Sequence, residues 1–176
     1  NMQLVADSVD PDGDPLTAID ISSQDGTIVN NLDGTWTFTP NADFNGVATL
    51  NYAVSDGETS TPASISVKVT AVNDVPVAND VDYNVDEDGV LVISAAQLLL
   101  DSNASDVELD ILTVSSVNIL GDVHGSLQNN GDATWTYTPD ADFNGAVSFA
   151  FVISDGNSSV VKKINVTVNS INDAPV

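Results

Sequence analysis

The sequence predicts an all-β protein made of two tandem Greek-key β-sandwiches, and an internal repeat is the first reason. The segments "TPNADFNG" (39–46) and "TPDADFNG" (138–145) differ by one letter. Residues 33–77 align with 132–176 without a gap, and about half of the positions are identical. Because a repeat of about 99 residues is long enough for one sandwich to bury its own core, we expect two domains in the 176 residues.

The second reason is the alternation of apolar and polar residues within each copy. The segments "TWTFT" (35–39) and "TWTYT" (134–138) put their aromatic residues on one face of a strand, as do "SISVKV" (64–69) and "KINVTV" (163–168) with their aliphatic ones. The longest strand places these residues toward the core: Val147, Phe149, Phe151 and Ile153 in the second copy, and Ala48, Leu50, Tyr52 and Val54 in the first. Turn residues at regular spacing predict about seven strands per copy.

Two short segments break this pattern. The stretch "SAAQLLL" (94–100) predicts the one helix, with Ser94 as its N-cap. In "ADFNG", Phe44 and Phe143 are expected to plug the core where the chain enters the long strand. Gly46 and Gly145 are expected to supply the turn's backbone freedom.

The repeat also predicts the domain boundaries. Residues 77–176 form a complete copy, whereas residues 1–76 form a copy that lacks its opening strands, because 4–17 aligns with 100–113. The missing part matches "VDYNV" and "VLVI" (81–93), so we expect an unpaired strand edge and a partly open first domain, or an edge filled by a neighbouring molecule. Both ends are expected to be cuts through a longer array.

The charge is strongly acidic. The chain has a formal net charge of −23, with 26 acidic residues against three lysines, and no arginine. Such a chain repels nucleic acid and anionic membranes, and no apolar run is long enough for membrane insertion. The absence of cysteine excludes disulfides and thiolate metal sites. Aspartate and asparagine predominate over glutamate, which favours sites for hard cations, while plain surface acidity is the alternative reading.

The order of the acidic motifs resembles that of bacterial cadherin-like repeats, which occur in tandem in large secreted (RTX-type) adhesins. The motifs are "VDEDGV" (85–90), "SDVELD" (105–110), "ADFNG" (141–145), "SDG" (154–156) and "NDAP" (172–175). No glycine-rich RTX nonapeptide occurs. The resemblance covers nearly all of 77–176 and most of 1–76. It implies a cadherin/immunoglobulin-like fold, with the first domain lacking its opening strands, and Ca²⁺ as the bound ion.

The resemblance also implies which residues bind calcium. The junction of the two copies would use Asp43, Asn45, Asn73, Asp74, Asp106, Glu108 and Asp155. A junction with a preceding domain would use Asp10, Asp12 and Asp56, and a junction with a following one would use Glu87, Asp142, Asn144, Asn172 and Asp173. Carboxylates gathered in this way would repel by roughly 4 kcal/mol per pair without a counter-ion, at an effective dielectric near 20.

This chain departs from the family pattern at several places. Ala71 and Ser170 replace the leading aspartate of the linker motif, and Val75 and Ala174 replace its trailing asparagine, so we expect one or two calcium ions per junction. Glu108-Leu109 stands where the first copy has Asp12-Gly13, which predicts an altered loop.

Other chemistries fit the sequence less well. The stretch "DPDGD" (10–14) lacks EF-hand spacing, and His124, the single histidine, has no partner pattern and reads as a loop or strand-edge residue. Nothing marks a pair of catalytic carboxylates, so we expect no enzyme. A carbohydrate-binding module is the alternative function. Because Trp36 and Trp135 occupy equivalent places beside other aromatics, a core role is favoured over sugar stacking.

Taken together, the sequence predicts a calcium-binding, calcium-rigidified spacer and adhesion module of a large extracellular bacterial adhesin, secreted or at the cell surface. Its expected partners are neighbouring repeats of the same chain, with like domains of other chains or a polysaccharide as further candidates.

Overall fold

The computed structural model describes residues 2, 4–5 and 7–172. The chain divides into two compact units, Asn1–Val72 and Asn73–Val176, which are called unit 1 and unit 2 below. Both units are built almost entirely of β-strands, as the sequence predicts, and together they are two tandem β-sandwiches. In the described part of the chain, no helix is both long and apolar enough to cross a membrane.

Unit 2 is a sandwich of two sheets with a short helix. Its elements are β6 (Val81–Asp86), β7 (Leu91–Ser94), α1 (Ala95–Asp101), β8 (Thr113–Leu120), β9 (Gly125–Asn129), β10 (Thr134–Pro139), β11 (Gly145–Ser154) and β12 (Ser159–Asn169). One sheet has the strand order β6-β12-β11-β8 and the other has the order β7-β10-β9. The opening strand β6 runs parallel to β12, and every other pairing is antiparallel.

The core of unit 2 follows the predicted alternation. The inward residues of β11 are 0–3% exposed, and those of β12 (Ile164, Val166 and Val168) are nearly as well buried. Trp135 and Tyr137 face the same core, and the Tyr137 hydroxyl donates a hydrogen bond to the Val123 carbonyl at 2.7 Å. The predicted helix is confirmed, since the Ser94 hydroxyl accepts from the backbone N–H of Gln97.

Phe143 is less deeply buried in the core than the sequence predicts. It packs against the core but is half-buried, and its ring stacks on His124 with 4.3 Å between the ring centroids. His124 lies in the loop between β8 and β9, where the sequence places it. Gly145 has a φ of 147°, which confirms its expected backbone freedom, because side-chain-bearing residues rarely adopt this conformation.

The described part of unit 1 has the strands that correspond to β8–β12. They are β1 (Thr17–Ser22), β2 (Gly26–Asn30), β3 (Trp36–Pro40), β4 (Gly46–Ser55) and β5 (Ser60–Val69). The strand order is β1-β4-β5 in one sheet, and β2 pairs with β3 in the other. Met2 forms an isolated bridge to Trp36, and the Leu4 carbonyl accepts a hydrogen bond from the Tyr52 hydroxyl at 3.1 Å.

Unit 1 is more open than unit 2 in the part of the chain that the structure describes. Among its described residues, no strand pairs with the outer edge of β5, the place that β6 takes beside β12 in unit 2. The inward residues of β5 (Ile65, Val67 and Val69) are half-buried, although the matching residues of β12 are almost completely buried. Trp36 and Phe38 are half-buried for the same reason.

Candidate metal centre

Three segments meet at one end of unit 2, which we call its N-terminal pole. They are the entering residues Asn73 and Asp74, the loop from Asp106 to Asp110 ahead of β8, and the turn from Asp155 to Ser158 between β11 and β12. Asn73 lies 82 residues before Asp155 in the chain, yet its side-chain amide nitrogen donates to the Asp155 carboxylate at 3.0 Å. The backbone N–H of Asp74 donates to Glu108 Oε2 at 3.1 Å. Five of the seven residues that the sequence assigns to the junction of the two copies therefore lie on these three hydrogen-bonded segments.

Asp155 is held by many hydrogen bonds. Its carboxylate accepts from the Ser158 hydroxyl and from the backbone N–H groups of Ser158 and Asn157, each at 2.6 Å. The Ser158 hydroxyl and backbone, followed by the Asn73 amide, hold the pKa of Asp155 well below its ordinary value. The residue is 9% exposed, so a buried carboxylate that stays ionised is built into this pole.

Asp106 has one satisfied and one unsatisfied oxygen. Its Oδ1 accepts from the backbone N–H groups of Glu108 and Asp110 at 3.0 and 3.1 Å. Its Oδ2 is buried and has no hydrogen-bond partner. Buried polar atoms are nearly always paired, and an orphaned carboxylate oxygen indicates an ion or a water that belongs there. Within the described residues, no ion pair involves Asp106, Glu108 or Asp155.

The loop that carries Asp106 has the same conformation in both units, contrary to the expected alteration. Leu109 has a φ of 63° and Gly13, its counterpart, has a φ of 85°. Asp10 Oδ1 accepts from the backbone N–H groups of Asp12 and Asp14, as Asp106 Oδ1 does from the corresponding groups. A leucine in this left-handed region is strained, and such strain is typical of loops whose geometry serves a function.

Unit 1 repeats the arrangement at its own N-terminal end. Asp10 and Asp56 line the same cleft of about 440 Å³. The backbone N–H groups of Thr59 and Glu58 and the Thr59 hydroxyl hold the pKa of Asp56 below its ordinary value. Asp12 is exposed on the loop beside Asp10.

The opposite end of unit 2, its C-terminal pole, is anchored by Glu87. This glutamate is 5% exposed, and its Oε1 accepts from the backbone N–H of Ile171 at 2.7 Å. Asp142 and Asn144 are exposed in the loop between β10 and β11, and Asn172 is exposed after β12. Asp173 lies outside the described residues. In unit 1, Asp43 and Asn45 are exposed in the corresponding loop between β3 and β4, and Asp43 and Asp142 share a φ of 61°.

Sequence reasoning missed two residues of the N-terminal pole. The Asn157 amide donates to Asn73 Oδ1 at 2.9 Å, and the Ser158 hydroxyl accepts from the Asn73 amide at 3.1 Å. Both residues follow directly after the "SDG" motif, and a hydroxyl three residues after an aspartate is an available signal of a side-chain-closed turn.

The types of oxygen atom at the N-terminal pole are those that hard cations prefer as ligands. The side chains converging on the pole offer carboxylate and amide oxygens, which calcium prefers, and no nitrogen or sulfur ligand of the kind zinc prefers. Within the described residues, no three acidic or histidine side chains lie close enough to hold a metal by themselves. An ion at this pole would therefore need the carboxylates to move closer together, and amide or backbone oxygens as further ligands. In this structure the nitrogen of the Asn73 amide, and not its oxygen, faces Asp155.

The low pKa of Asp155 predicts a pH dependence. An aspartate whose folded pKa is depressed contributes full stability above its unfolded pKa near 4, and loses it as the pH falls through the lower folded value. In chelator, the melting temperature of the wild type should exceed that of Asp155→Asn at pH 6. The gap should narrow steadily as the pH is lowered from about 4 toward 2. A gap that stays constant over this range would show that ionised Asp155 does not support the fold.

These features define a class of protein: tandem β-sandwiches with acidic, hydrogen-bonded poles. The profile of the family described as "Cadherin-like domain" matches residues 1–70 and 72–169. The chain therefore belongs to the cadherin-like domain family, whose domains are adhesion-type modules. A comparison with curated proteins gave no match.

Solved structures agree with this fold. The structure of human protocadherin-24 EC1-2 aligns over 93% of this chain and 86% of its own length, with 15% identity and a TM-score of 0.52. This likeness shows the fold alone. An endo-fucoidan hydrolase from glycoside hydrolase family 107 aligns over 92% of this chain with 24% identity and a TM-score of 0.35. The chain spans about a quarter of the length of the fucoidan hydrolases that it matches, and so low a score carries no conclusion about fold or activity.

Proposed function

We propose that the N-terminal pole of unit 2 binds Ca²⁺ and that the chain is a calcium-binding spacer and adhesion module of an extracellular bacterial adhesin. The observation that carries the metal proposal is Asp106 Oδ2, a buried carboxylate oxygen without a hydrogen-bond partner. Leaving such an oxygen unpaired is costly, and a cation in contact with it removes that cost.

The ion would be held by oxygen atoms of five residues. Carboxylates would come from Asp106, Glu108 and Asp155, which would have to move closer together than they lie in this structure, and further oxygens from Asn73 and Asp74. In this structure the Asn73 amide nitrogen donates a hydrogen bond to the Asp155 carboxylate. Rotation of this amide by half a turn would present its oxygen instead. The rotation would break the hydrogen bonds that the amide makes with Asp155, Ser158 and Asn157, and binding of the cation would have to offset that loss.

Calcium suits this pole better than other divalent ions. It accepts six to eight oxygens in loose geometry and tolerates ligands on separate loops, whereas Mg²⁺ demands a near-ideal octahedron. The matching loops of unit 1 support a second site with Asp10, Asp12 and Asp56. Glu87, Asp142, Asn144, Asn172 and Asp173 of unit 2, and Asp43 and Asn45 of unit 1, are the proposed ligands at the other ends of the units.

The wider role rests on the repeat and on the family. Tandem adhesion-type domains that are stiffened by calcium work as spacers outside the cell, with like repeats as partners. The acidic surface suits this role, because it keeps such a chain soluble and away from nucleic acid and anionic membranes.

Carbohydrate binding is less well supported. Trp135 is 4% exposed and Tyr137 is fully buried, so neither offers a face on which a sugar could stack. Trp36 is half-buried because unit 1 is open. It occupies the position in unit 1 that corresponds to the core residue Trp135 in unit 2.

Calorimetric titration with CaCl₂ at pH 7 tests the metal proposal. The wild type should release or absorb heat in a saturable manner. Asp106→Asn should weaken the tightest site by about tenfold or more, because a ligand charge is lost. Asp82→Asn is the matched control: it removes the same charge from an exposed position of strand β6 and keeps an acceptor for Asn165. Equal affinities for wild type and Asp106→Asn would refute the site.

Small-angle scattering with and without calcium tests the spacer role. We expect calcium to lower the flexibility of the wild type and to have less effect on Asp106→Asn. If scattering does not respond although calorimetry detects binding, calcium binds but does not stiffen the chain.

A further inference from the structure

We propose that the free edge of β8 in unit 2 is an interaction surface that pairs, antiparallel and about a two-fold axis, with β8 of a second copy of the chain. The pairing would supply a surface for the like-repeat contacts of the proposed function, and in that respect it rests on the proposed function. It does not involve calcium. The experiments below are therefore done in chelator, and their failure would leave the metal proposal intact.

The strand β8 lies at the outer end of the larger sheet of unit 2, in the order β6-β12-β11-β8. It pairs with β11 on one side. On its other side it makes no backbone hydrogen bond to any residue that the structure describes. Ile119 lies opposite Phe149 and so on the core face, yet it is 50% exposed at this edge. Unpaired N–H and C=O groups on a strand edge are a template for a further strand.

The other strand edges of unit 2 are protected in ways that β8 is not. At the opposite end of the same sheet, β6 carries the exposed acids Asp82 and Asp86. In the second sheet, the edge strands β7 and β9 have only four and five residues. Short strands and charged residues are the usual protection of an edge. By contrast, β8 has eight residues without a charge or a proline, and its register with β11 is unbroken from Ser116 to Leu120.

The corresponding edge of unit 1 is protected, so the free edge of β8 is not common to both repeats. Its strand β1 has six residues and includes the acid Asp20, whose φ is 53°. The register of β1 with β4 shifts between Ile19 and Ser22, around this residue. A bulge with a charged residue turns an edge away from pairing. Because β1 and β5 lie at opposite ends of their sheet, this difference does not arise from the missing opening strands.

A second β8 is the partner that this edge fits. Two copies of a chain with a net charge of −23 repel each other, so contact between them favours an uncharged strip. Pairing about a two-fold axis lets one strand serve both partners. With Asn118 on the axis, Ile119 lies opposite Val117 of the other copy on the core face, and Leu120 lies opposite Ser116 on the outer face. The two Asn118 amides would then meet, and each offers a donor and an acceptor.

The contact between two single copies is expected to be weak. One strand from each copy buries less than the roughly 1,200 Å² that stable interfaces reach. Copies that are tethered side by side would gain effective concentration, so that several weak pairings act together. Weak pairing of this kind suits an adhesion-type module, whose contacts act in numbers.

Sedimentation equilibrium of the full chain in chelator, at about 0.15 M salt and up to millimolar protein, tests the pairing. The wild type should form a reversible dimer. Asn118→Asp keeps the size of the side chain and sets two carboxylates against each other at the axis, so it should weaken the dimer at least about fivefold. Asn84→Asp is the matched control, because it makes the same change at an exposed position of β6, at the other edge of the sheet. It should dimerise as the wild type does.

Cross-linking locates the axis independently. The chain contains no cysteine, so a single introduced thiol reports on one position. Residues directly opposite in an antiparallel pair have Cα atoms about 4.5–5.5 Å apart, which is within the reach of a disulfide. Under mild oxidation in chelator, Asn118→Cys should form a disulfide-linked dimer at least about tenfold faster than Asn84→Cys, because pairing holds the two thiols together.

Three results would overturn the pairing. The first is a wild type that stays monomeric at millimolar concentration. The second is equal cross-linking of Asn118→Cys and Asn84→Cys. The third is a dimer that Asn118→Asp leaves as stable as in the wild type, which would place the contact on another surface of the chain.

Discussion

Replacing Phe149 with alanine is expected to lower the free energy of unfolding of unit 2 by about 3–5 kcal/mol. Phe149 is fully buried at the centre of β11, between Ile119 of β8 and Ile164 of β12. Its ring also makes an edge-to-face contact with Tyr137 at a centroid distance of 5.1 Å. Truncation would remove the transfer energy of the ring and leave a cavity that neighbouring strands cannot close, because both are fixed by the sheet.

Urea unfolding measured by Trp135 fluorescence checks this prediction, in a Trp36→Phe background that isolates unit 2. Ser148→Ala, at the neighbouring position of the same strand but on its outer face, is the control and should change stability by less than about 0.5 kcal/mol. A loss below about 1.5 kcal/mol for Phe149→Ala would mean that the core of unit 2 repacks, in contrast to the dense packing described above.

Calcium is expected to stabilise unit 2 by about 2.7 kcal/mol at a free concentration one hundred times its dissociation constant. For a unit of about one hundred residues, this corresponds to a rise of about 10–20 °C in melting temperature. The physical reason is that the ion would bind a pole assembled from three separate segments, and this pole exists only when unit 2 is folded. Thermal melts in chelator and in graded calcium measure the effect.

Asp106→Asn should abolish most of this rise and Asp82→Asn should preserve it. In chelator, Asp106→Asn should be as stable as the wild type or more stable, because the orphaned charge is removed while Oδ1 remains as an acceptor for Glu108 and Asp110. Loss of stability in chelator, with an unchanged calcium response, would show that Asp106 is a structural turn residue and not a ligand.

The local properties of the strands and of the helix could be predicted from the sequence. Alternation marks Phe149, Phe151 and Ile153 as inward residues because the period of a strand is two wherever the strand lies. Ser94 marks the start of α1 because capping involves residues three positions apart. The repeat of "SDG" and "ADFNG" likewise located the acidic loops. These features depend on neighbours in the chain and need no knowledge of what packs around them.

The burial of side chains and their hydrogen-bond partners were decided by the tertiary structure. Trp36 and Trp135 lie in almost identical motifs, yet one is half-buried and the other is buried. Only the second lies in a strand that pairs with β7 and in a core that includes Ile93 and Leu98. Asn73 reaches Asp155 across 82 residues, and no local pattern encodes that hydrogen bond. The orphaned oxygen of Asp106 is likewise a property of the closed pole, since the same carboxylate in an open loop would be hydrated. Exposure and pairing depend on segments distant in the chain. For this reason the sequence determined which residue types are present, while the fold determined which of them meet.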